Sequence, residues 1–383
     1  MASNAMHIAD VTLFFAPRSG GVKRYLLAKH RHYAGRAGVR HSLVVPGAKS
    51  LQNERGIYSI ASAPIPFAGG YRVPLRPSLW RRALAELQPD VIEVGDPYHL
   101  AWAALAAARD CGAATAAFAH SDLPRMLACR FGSVVGQAAD RYLRSLYARF
   151  DIVQAPSRLI AERLRRSGIE RVVVQPLGVD GDVFHPARRE GLLRAQLGLA
   201  ADTRLLIFAG RMAREKQIPL LLAAFAELGE PYHLVVVGGE QRQRLTANVT
   251  LLPYEHDSTR LARLLASADA LVHAGAQETF GMIVIEAMAC GLPVVGVRGG
   301  AVPELIDDSV GALADADDAA SLADAIDSLY DRDLERLGRQ ARLRVDRLYA
   351  WDSTFALQLD RYVRLSRREF DPALEIVDAT GAP

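Results

Sequence analysis

The chain has 383 residues, more than one hydrophobic core usually organises, so its length predicts two domains. Its 46 basic and 43 acidic residues give a net charge of only +3, which argues against a protein that coats a polyanion. Three widely spaced cysteines support neither a disulfide framework nor a thiolate zinc site. The chain has no apolar run of roughly 18 residues and no signal-peptide pattern, so we expect a cytoplasmic protein that does not span a membrane. Residues Met1–Ala5 precede a second methionine and read as a remnant of expression.

The small net charge hides two biases. Residues 1–190 carry 26 basic and 15 acidic side chains, whereas residues 191–383 carry 20 and 28. The two halves therefore have opposite charge. Only four of the basic residues are lysines, so a lysine in this arginine-rich chain is a candidate for a specific role; they are Lys23, Lys29, Lys49 and Lys216.

From Met6 onward, short apolar runs alternate with longer stretches of helical period, which is typical of βαβ units around a parallel sheet. The first predicted strand, His7–Phe15, ends at Ser19-Gly20-Gly21 and precedes a helix over Val22–Tyr33. The next predicted strands are Ser42–Val45, Asp90–Val94, Ala114–Ala119, Ile152–Ala155 and Arg171–Val174. The helices between them include Pro77–Leu87, Leu100–Arg109 and Gln137–Phe150.

Residues Gln175–Arg189 interrupt the pattern with prolines and glycines, and we interpret them as an interdomain linker. A second series of strands follows at Arg204–Ala209, Tyr232–Val237, Asn248–Leu252, Ala270–His273 and Pro293–Val297. Past Ala319 the pattern predicts only helices, over Leu322–Tyr330, Leu334–Tyr349 and Ser353–Arg364. We therefore predict two doubly wound α/β domains, 6–183 and 184–350, and a helical segment, 351–383. Ligands of such sheets bind beyond the carboxyl ends of the strands, so we expect the site in a cleft between the domains.

The strongest motif places two glutamates eight residues apart. Glu278 follows a predicted strand, and Glu286 lies within the helix that Gly281 opens. Free N–H groups and the helix dipole favour an anion at such a helix start, so the motif predicts a phosphate-binding position with two acceptors for sugar hydroxyls beside it. The alternative, two solvated surface charges, is disfavoured because Glu286 lies among apolar residues, where an unpartnered carboxylate is costly. The free N–H groups at the start of this helix belong to Gly281, Met282 and Ile283.

Three further stretches follow predicted strands. Arg211 and Lys216 can neutralise phosphate, the arginine as a fork and the lysine as a compact charge, although alone such a pair is as often a solvated loop. Gly20 and Gly21 allow a ligand to approach the backbone, but they do not form the Gly-x-Gly-x-x-Gly pattern of dinucleotide sites. His120 ends the strand Ala114–Ala119, where a histidine is either functional or a simple strand cap.

Together these stretches resemble the GT-B glycosyltransferases, specifically the retaining family 4 enzymes that use nucleotide sugars, over about Met6–Arg364. The resemblance implies two Rossmann-like domains that face each other across a cleft, and a final helix from about Trp351 that crosses back to the N-terminal domain. It rests mainly on the glutamate pair, with Gly210-Arg211, Lys216 and the Gly300–Glu304 turn in support.

The resemblance also implies roles. Glu278 is expected to contact the transferred sugar and Glu286 the nucleotide ribose, while Arg211 and Lys216 neutralise the diphosphate. His120 is expected near the reacting sugar, so that the implied catalytic residues are His120, Glu278, Arg211 and Lys216. The implied donor-binding residues are Gly20, Gly21, Arg211, Lys216, Tyr254, Glu255, Glu278, Phe280, Gly281, Met282, Ile283 and Glu286. One departure is Gln217, which stands where the family usually has glycine.

No metal or other cofactor is expected. Triplets of the form Asp-x-Asp bind Mn²⁺ or Mg²⁺ in the other large glycosyltransferase fold. Those of this chain do not follow a strand near the phosphate-binding position. They are Asp180–Asp182, Asp315–Asp317 and Asp331–Asp333.

The resemblance is greatest to bacterial mannosyltransferases that use GDP-mannose, and to sulfoquinovosyl or glucosyl transferases that use UDP-sugars. We favour GDP-mannose and a glycolipid or glycan acceptor; a UDP-sugar enzyme stays open. A non-catalytic sugar-nucleotide-binding protein and a pyridoxal-phosphate phosphorylase are disfavoured, the second because Lys216 is already assigned to phosphate. Residues 67–82 interleave aromatic and basic side chains, which suits either an anionic bilayer or an ordinary acceptor loop. We expect no nucleic-acid partner.

Overall fold

The computed structural model describes residues 5–17, 20–52, 55–66 and 68–372. Ser19 of the predicted glycine turn, Phe67 of the aromatic and basic segment, and residues 1–4 of the expected expression remnant lie outside these ranges. The chain divides into two compact units. One contains residues up to Pro176 together with those from Thr354 onward, and the other is Leu177–Ser353. The division at Pro176 falls within the predicted linker, and the predicted boundary after residue 183 lies inside the second unit.

The first unit is built around a sheet whose strands run in the order β10-β9-β8-β7-β1-β2-β4-β3 within the described residues. All neighbours are parallel except β3 and β4. A small antiparallel pair, β5 and β6, lies apart from it. The elements in chain order are β1 Met6–Val11, α1 Gly21–Ala34, β2 Val39–Gly47, β3 Leu51–Gln52, β4 Ile57–Ala61, β5 Ala63–Pro64, β6 Arg72–Val73, α2 Pro77–Glu86, β7 Val91–Val94, α3 His99–Cys111, β8 Ala114–Phe118, α4 Leu123–Phe131, α5 Ser133–Tyr147, β9 Ile152–Ala155, α6 Arg158–Arg166 and β10 Val172–Val174.

The second unit repeats the design with strand order β13-β14-β12-β11-β15-β16-β17, parallel except for β13. Its strands are continuous apolar runs because the core covers both faces of the sheet. Its elements are α7 Leu193–Leu197, β11 Arg204–Ala209, α8 Ile218–Leu228, β12 Tyr232–Gly239, β13 Gln243–Thr246, β14 Val249–Pro253, α9 Ser258–Ala266, β15 Ala270–His273, α10 Met282–Ala289, β16 Val294–Val297, β17 Gly311–Ala314, α11 Ala319–Tyr330 and α12 Leu334–Leu348. A final helix, α13, spans Trp351–Ser366, and from Thr354 onward it belongs to the first unit.

The predicted two-domain α/β fold is confirmed, but some boundaries were wrong. Strand β1 stops at Val11 and does not continue to Phe15, because beyond Thr12 the N–H groups bond to side chains: Leu13 donates to Asp96 and Phe14 to the Thr12 hydroxyl. The sequence prediction also omitted α4, whose start is marked by Asp122, a carboxylate that accepts from the Arg125 N–H as a helix cap.

A buried polar cluster holds α13 to the sheet of the first unit. The ammonium of Lys29 on α1 donates to Asp10 Oδ1 at 2.9 Å, to Glu93 Oε1 at 2.8 Å and to the Tyr362 hydroxyl at 2.9 Å. Lys29 is 0% exposed and both carboxylates are 1% exposed. Tyr362 lies on α13 and also donates to Glu93, as does Gln154 of β9. One ammonium therefore joins two strands, α1 and the C-terminal helix.

In the described part of the chain, none of the helices is both long and apolar enough to cross a membrane.

Candidate active site

In the second unit the direction of winding reverses between β11 and β15, which are neighbours in the sheet. The loops after these two strands therefore diverge at the carboxyl edge, where open α/β sheets bind ligands. The loop after β11 carries Arg211 and Lys216, and the loop after β15 carries Glu278. Topology thus brings together residues that lie far apart in the sequence.

Lys216 and Glu278 make direct contact at this edge. The Lys216 ammonium donates to Glu278 Oε1, and His273 Nε2 lies 3.1 Å from the same oxygen. The three side chains are largely enclosed: Lys216 is 16% exposed, Glu278 17% and His273 0%. Both bonds end on Oε1, and no bond to Oε2 is found among the described residues. The second carboxylate oxygen therefore keeps its capacity to accept a hydrogen bond.

His273 fixes the Glu278 carboxylate as a hydrogen-bond donor. Its Nδ1 accepts from the Gly275 N–H at 3.3 Å, so the ring proton belongs on Nε2, which faces Glu278. Burial raises the pKa of Glu278, but the hydrogen bond and electrostatic attraction of His273 and the Lys216 ammonium outweigh it, so the pKa lies well below its ordinary value. Glu278 is therefore an ionised and weakly basic carboxylate. The sequence analysis missed His273; its signal was a polar residue that ends an otherwise apolar strand five positions before Glu278.

Two glycines let the loop of Glu278 fold closely. Gly300 has a φ of +60°, and a β-carbon there would lie 2.7 Å from the Glu278 nitrogen. A β-carbon on Gly275 would lie 2.9 Å from the His273 ring and 3.0 Å from the Glu215 carbonyl oxygen. Larger side chains at either position would displace the carboxylate or its partner.

The loop that carries Lys216 ends in a left-handed turn at Gln217. Residues Arg214–Lys216 form a single 3₁₀ turn, and Gln217 follows with φ +53°. The Gln217 amide donates to Asp317 Oδ1 at 2.8 Å. The left-handed turn for which the resemblance leads one to expect glycine therefore forms here with a glutamine. Lys216 lies at the carboxyl edge of the sheet despite this departure.

Arg211 is more exposed than Lys216, the other cation predicted to neutralise phosphate. Its guanidinium is 75% exposed and lies 3.3 Å from Glu215 Oε1, a pairing four residues apart. It shares the loop with Lys216 but is not part of the enclosed cluster.

Helix α10 begins at Met282, directly after Gly281, whose φ is +100°. Its first hydrogen bond is donated by Val284 to the Gly281 carbonyl, so the N–H groups of Met282 and Ile283 precede the helical ladder. Glu286 lies on this helix and is 2% exposed. A buried carboxylate on an apolar helix, rather than a surface charge, is what the structure contains.

The remaining predicted donor residues of this unit are placed as follows. Phe280 is 4% exposed and packs edge-on against Tyr349 in the core. Tyr254 follows β14, its N–H bonds to Gly239 at 2.8 Å, and its ring packs against His256. Glu255 accepts from the Asp257 N–H at 2.8 Å.

In the first unit the winding reverses between β1 and β7. Gly20 caps α1 and Gly21 is its first residue. A β-carbon on Gly20 would meet no atom within 4 Å, so packing within the protein does not require glycine there. Lys23, in the same turn, folds back and donates to the Ala16 carbonyl at 3.1 Å.

His120 follows β8 on the same edge. Its ring stacks on Phe118 with centroids 4.1 Å apart and an angle of 12°, and Tyr25 meets it edge-on. Burial, followed by the charge of Lys29, lowers the pKa of His120 to about 3. The imidazole is therefore neutral at physiological pH and can orient a hydroxyl as donor or acceptor, but it does not act there as a cation.

The carboxylate of Asp96 on this edge was not predicted from the sequence. Asp96 follows β7, is 2% exposed, and accepts from the Leu13 N–H at 2.6 Å. Burial raises the pKa of Asp96 to about 6, against the lowering effect of its hydrogen bonds. It orders the loop after β1 and changes charge close to neutral pH.

One aspartate of each Asp-x-Asp triplet accepts hydrogen bonds within the protein. Asp180 accepts from the N–H groups of two following residues, Asp317 bonds to Gln217, and Asp333 caps α12 through the Arg336 N–H.

The chain matches two family models that together cover most of its length. Residues 19–183 match the model described as Glycosyltransferase Family 4, and residues 190–344 match Glycosyl transferases group 1.

Named relatives and a solved structure agree with these matches. The chain is 32% identical over 372 residues to a GDP-mannose-dependent alpha-(1-6)-phosphatidylinositol dimannoside mannosyltransferase of Mycobacterium tuberculosis, covering 92% of this chain and 95% of the relative. It is 29% identical to a GDP-mannose-dependent alpha-mannosyltransferase of Corynebacterium glutamicum, covering 80% and 76%. The fold is similar to sucrose-phosphate synthase of Thermosynechococcus elongatus, with a TM-score of 0.79 at 22% identity over 95% of this chain and 100% of that one.

The carboxyl-edge cluster of Lys216 and Glu278, the two parallel-sheet units and these matches agree with one another. The chain therefore belongs to the group 1, family 4 glycosyltransferases of GT-B fold, and it is an enzyme that uses a nucleotide sugar.

Proposed function

We propose that this protein transfers mannose from GDP-mannose to a glycolipid or glycan acceptor, with retention at the anomeric carbon and without a metal ion. The observation that carries the proposal is the enclosed contact between Lys216 and Glu278 at the switch point of the second unit, beside a loop that bears Arg211. It supplies a fixed cation for a leaving diphosphate and a fixed carboxylate for a sugar hydroxyl.

The departure of the diphosphate is the step for which the cations are suited. When the bond from C1 to the diphosphate breaks, negative charge grows on the phosphate oxygens and the sugar becomes electron-deficient. An ammonium has three N–H donors, and Lys216 uses one of them on Glu278, which leaves two for phosphate oxygens. Arg211 and the N–H groups at the start of α10 add positive potential, and preorganised charge of this kind usually contributes more to such catalysis than any other effect.

Retention is proposed because the chain resembles the retaining family 4 enzymes, and the character of Glu278 bears on the route by which it would occur. A carboxylate whose pKa is held far below its ordinary value by His273 and Lys216 is a poor nucleophile, so a covalent sugar intermediate on Glu278 is disfavoured. In the proposed route the acceptor oxygen forms its bond to C1 on the face that the diphosphate leaves, and the departing phosphate oxygen takes the acceptor's proton. The product should carry mannose in the same anomeric configuration as the donor, which NMR of the product would establish.

Independence from metal rests on these groups and on the engagement of the aspartate triplets in caps and turns. Transfer should continue in EDTA at the rate measured without it. A complete loss of turnover that Mg²⁺ or Mn²⁺ restores would refute this part of the proposal.

The donor and acceptor are inferred from the relatives. Both bacterial relatives are named for GDP-mannose, and one for a phosphatidylinositol-based acceptor. We extend this to GDP-mannose and to a membrane glycolipid at the cytoplasmic face of a membrane.

Thermal-shift measurements with GDP-mannose, UDP-glucose and ADP-glucose test the donor. A ligand at about 100 times its dissociation constant stabilises the native state by about 2.7 kcal/mol, so the preferred donor should raise the unfolding midpoint most. GDP-mannose should do so. A response to UDP-glucose with none to GDP-mannose would replace the proposed donor.

A matched pair of variants tests the site. Lys216→Met should abolish the response to GDP-mannose, whereas Arg214→Met, an exposed residue of the same loop, should preserve it. Equal responses from both variants would remove Lys216 from the proposed diphosphate site.

A further inference from the structure

The helical hairpin of α4 and α5 in the first unit exposes an unusual set of apolar side chains. Every residue from Cys129 to Val135 is exposed. Val134 is 75% exposed, and Phe131 and Met126 are each 58% exposed. Helix α4 has no buried residue along its length.

The hairpin is closely packed although its outer surface is apolar. Gly136 lets the two helices approach, because a β-carbon there would lie 2.6 Å from the β-carbon of Ala128 and 3.0 Å from the Pro124 carbonyl oxygen. Gly132 forms the turn with φ +92°. The inner face of α5 is in the core through Leu143, Leu146 and Tyr147. The exposed side chains are therefore presented by a folded element.

The same hairpin is basic. Residues 123–150 contain five arginines and a single carboxylate, Asp140. That carboxylate accepts from Ser167 and lies 3.6 Å from Arg144, so it is already partnered. At the tip, the guanidinium of Arg130 lies over the Phe131 ring at 5.4 Å. The other arginines are Arg125, Arg141 and Arg149.

An aromatic pair continues this surface. Val134 and Tyr142 are eight residues apart on α5, about 12 Å along the helix, and each is exposed. The Tyr142 hydroxyl accepts from the indole N–H of Trp102, and the Arg149 guanidinium lies over the Trp102 ring at 5.2 Å. Tryptophan and tyrosine beside arginine are the side chains that favour the headgroup region of a bilayer.

Among the described residues of 67–82, the segment that interleaves aromatic and basic side chains, Leu75 is 73% exposed but the tryptophan is not. In α2, Trp80 and Leu84 are both 0% exposed, so the aromatic side chain faces the core. Arg81 forms a two-pronged pair with Asp110, with distances of 2.5 and 2.7 Å, which offsets its charge.

We propose that the α4–α5 hairpin docks on an anionic lipid bilayer, inserting Phe131, Val134 and Met126 among the headgroups while its arginines pair with lipid phosphates. The proposal deepens the proposed function, since it rests on the acceptor being a membrane glycolipid. The occupant is a bilayer because the exposed apolar residues are surrounded by positive charge and almost no carboxylate.

Flotation of the full chain with vesicles tests the proposal. Vesicles of phosphatidylcholine with about one third phosphatidylglycerol should carry the wild-type protein upward, and pure phosphatidylcholine should carry much less. Phe131→Ser with Val134→Ser should weaken binding at least about tenfold, because two exposed apolar side chains are removed. Arg130→Glu with Arg141→Glu should weaken it at least about 20-fold, since each basic residue near such a surface contributes about 1 kcal/mol.

Matched controls lie on α12 of the second unit. Leu343 and Leu348 are 60% and 42% exposed, and Arg347 is exposed. Leu343→Ser with Leu348→Ser, and Arg347→Glu, should bind vesicles like the wild type. Because all these residues are exposed, each variant should unfold at the same midpoint as the wild type.

Three results would overturn the docking surface. The first is a wild-type protein that does not float with anionic vesicles, and the second is hairpin variants that float as well as the wild type. The third is a wild-type dimer, seen by light scattering without vesicles, that the hairpin variants convert to a monomer, which would make the surface an interface between copies. GDP-mannose thermal shifts on the same proteins separate the two proposals: a donor response without flotation refutes only the docking surface, and hairpin-dependent flotation without any sugar-nucleotide response supports the surface while refuting the proposed function.

Discussion

Replacement of Lys29 by methionine should destabilise the first unit strongly. The substitution keeps most of the side-chain volume but removes the ammonium that contacts Asp10, Glu93 and Tyr362. Two carboxylates share this one cation. His41 also contacts Asp10, but burial lowers the pKa of His41, so it is not a replacement cation. The variant would leave both buried carboxylates without a positive partner.

The size of the effect follows from this geometry. Removing one partner from a buried ion pair typically costs about 3–5 kcal/mol, because the remaining charge is neither hydrated nor paired. For a unit of this size, 1 kcal/mol corresponds to roughly 2–4 °C in midpoint, so the unfolding midpoint should fall by roughly 6–20 °C. Lys49→Met, at an exposed lysine, is the control and should change stability by less than about 0.5 kcal/mol.

The pH dependence of the variant identifies the cause. In the wild type the charge of Lys29 and the contact with His41 outweigh burial and lower the pKa of Asp10 from 3.8 to about 2, so its stabilising contribution is present above pH 3.8 and is lost as the pH falls through about 2. In Lys29→Met the folded pKa of Asp10 should rise above its unfolded value, and the pKa of Glu93, which burial already raises in the wild type, should rise further. Such carboxyls favour the folded state when protonated, so the deficit against the wild type should shrink as the pH falls from about 7 to about 4.

Urea denaturation of both proteins over this pH range provides the measurement. Adding Glu93→Gln to Lys29→Met should recover part of the lost stability, because it removes one of the two unpaired charges. A Lys29→Met protein as stable as Lys49→Met, or a deficit that does not depend on pH, would refute the reasoning.

Three further variants concern the site. His120→Ala should reduce kcat by orders of magnitude while the GDP-mannose thermal shift stays unchanged; a lost thermal shift would instead assign His120 to nucleotide binding. Glu278→Gln should reduce kcat at least about 100-fold. The pKa of Glu278 is lowered from 4.5, so its stabilising effect is present above that pH and is lost only below it. The wild-type rate should therefore show no titration of Glu278 near neutral pH. A titration of Glu278 observed there would contradict the assignment. Gln217→Gly should be more stable to urea than Gln217→Ala by about 1 kcal/mol, because only glycine relieves the left-handed turn, and equal stabilities would count against strain there.

The sequence predicted the edge of the second sheet well because local patterns determine it. The strands before Arg211 and Glu278 are short apolar runs, and each is followed by a glycine-containing loop and a helix. Parallel strands place such loops at the same edge, and the change of winding direction between these two neighbouring strands makes that edge the position where open α/β sheets bind ligands. The contact between Lys216 and Glu278 then required only the correct strand order.

The buried cluster of the first unit could not be predicted in the same way. Its signals were present: Asp10 and Glu93 interrupt apolar strands, and Lys29 lies on the same face of α1 as Tyr25 and Tyr33. Each charge alone is compatible with a strand end or a solvated face. Which of them pair depends on contacts between residues 19 and 64 positions apart, and one sequence contains no record of such pairing.

The direction in which side chains point could not be predicted from the sequence either. The aromatic and basic residues of 67–82 suggested a membrane-facing segment, but helical period alone cannot decide which face of α2 meets the core. Trp80 and Leu84 both meet it, four residues apart, and the arginines between them face outward. The hairpin of α4 and α5 was not singled out because its exposed residues follow no strand and form no motif.

The acidic balance of the second half does not conflict with an anion-binding site there. Several of its aspartates accept hydrogen bonds from the first turn of a helix, where the helix dipole favours negative charge. These carboxylates are therefore engaged by their own helices, which offset part of their charge. A diphosphate at the carboxyl edge would meet Lys216, Arg211 and the start of α10. Glu278 already engages one N–H donor of the Lys216 ammonium. Two of the four lysines have a specific role that their rarity in the sequence suggested. Lys216 provides a compact charge in an enclosed loop, and Lys29 provides one inside the core. The helix-capping aspartates are Asp257, Asp318 and Asp333.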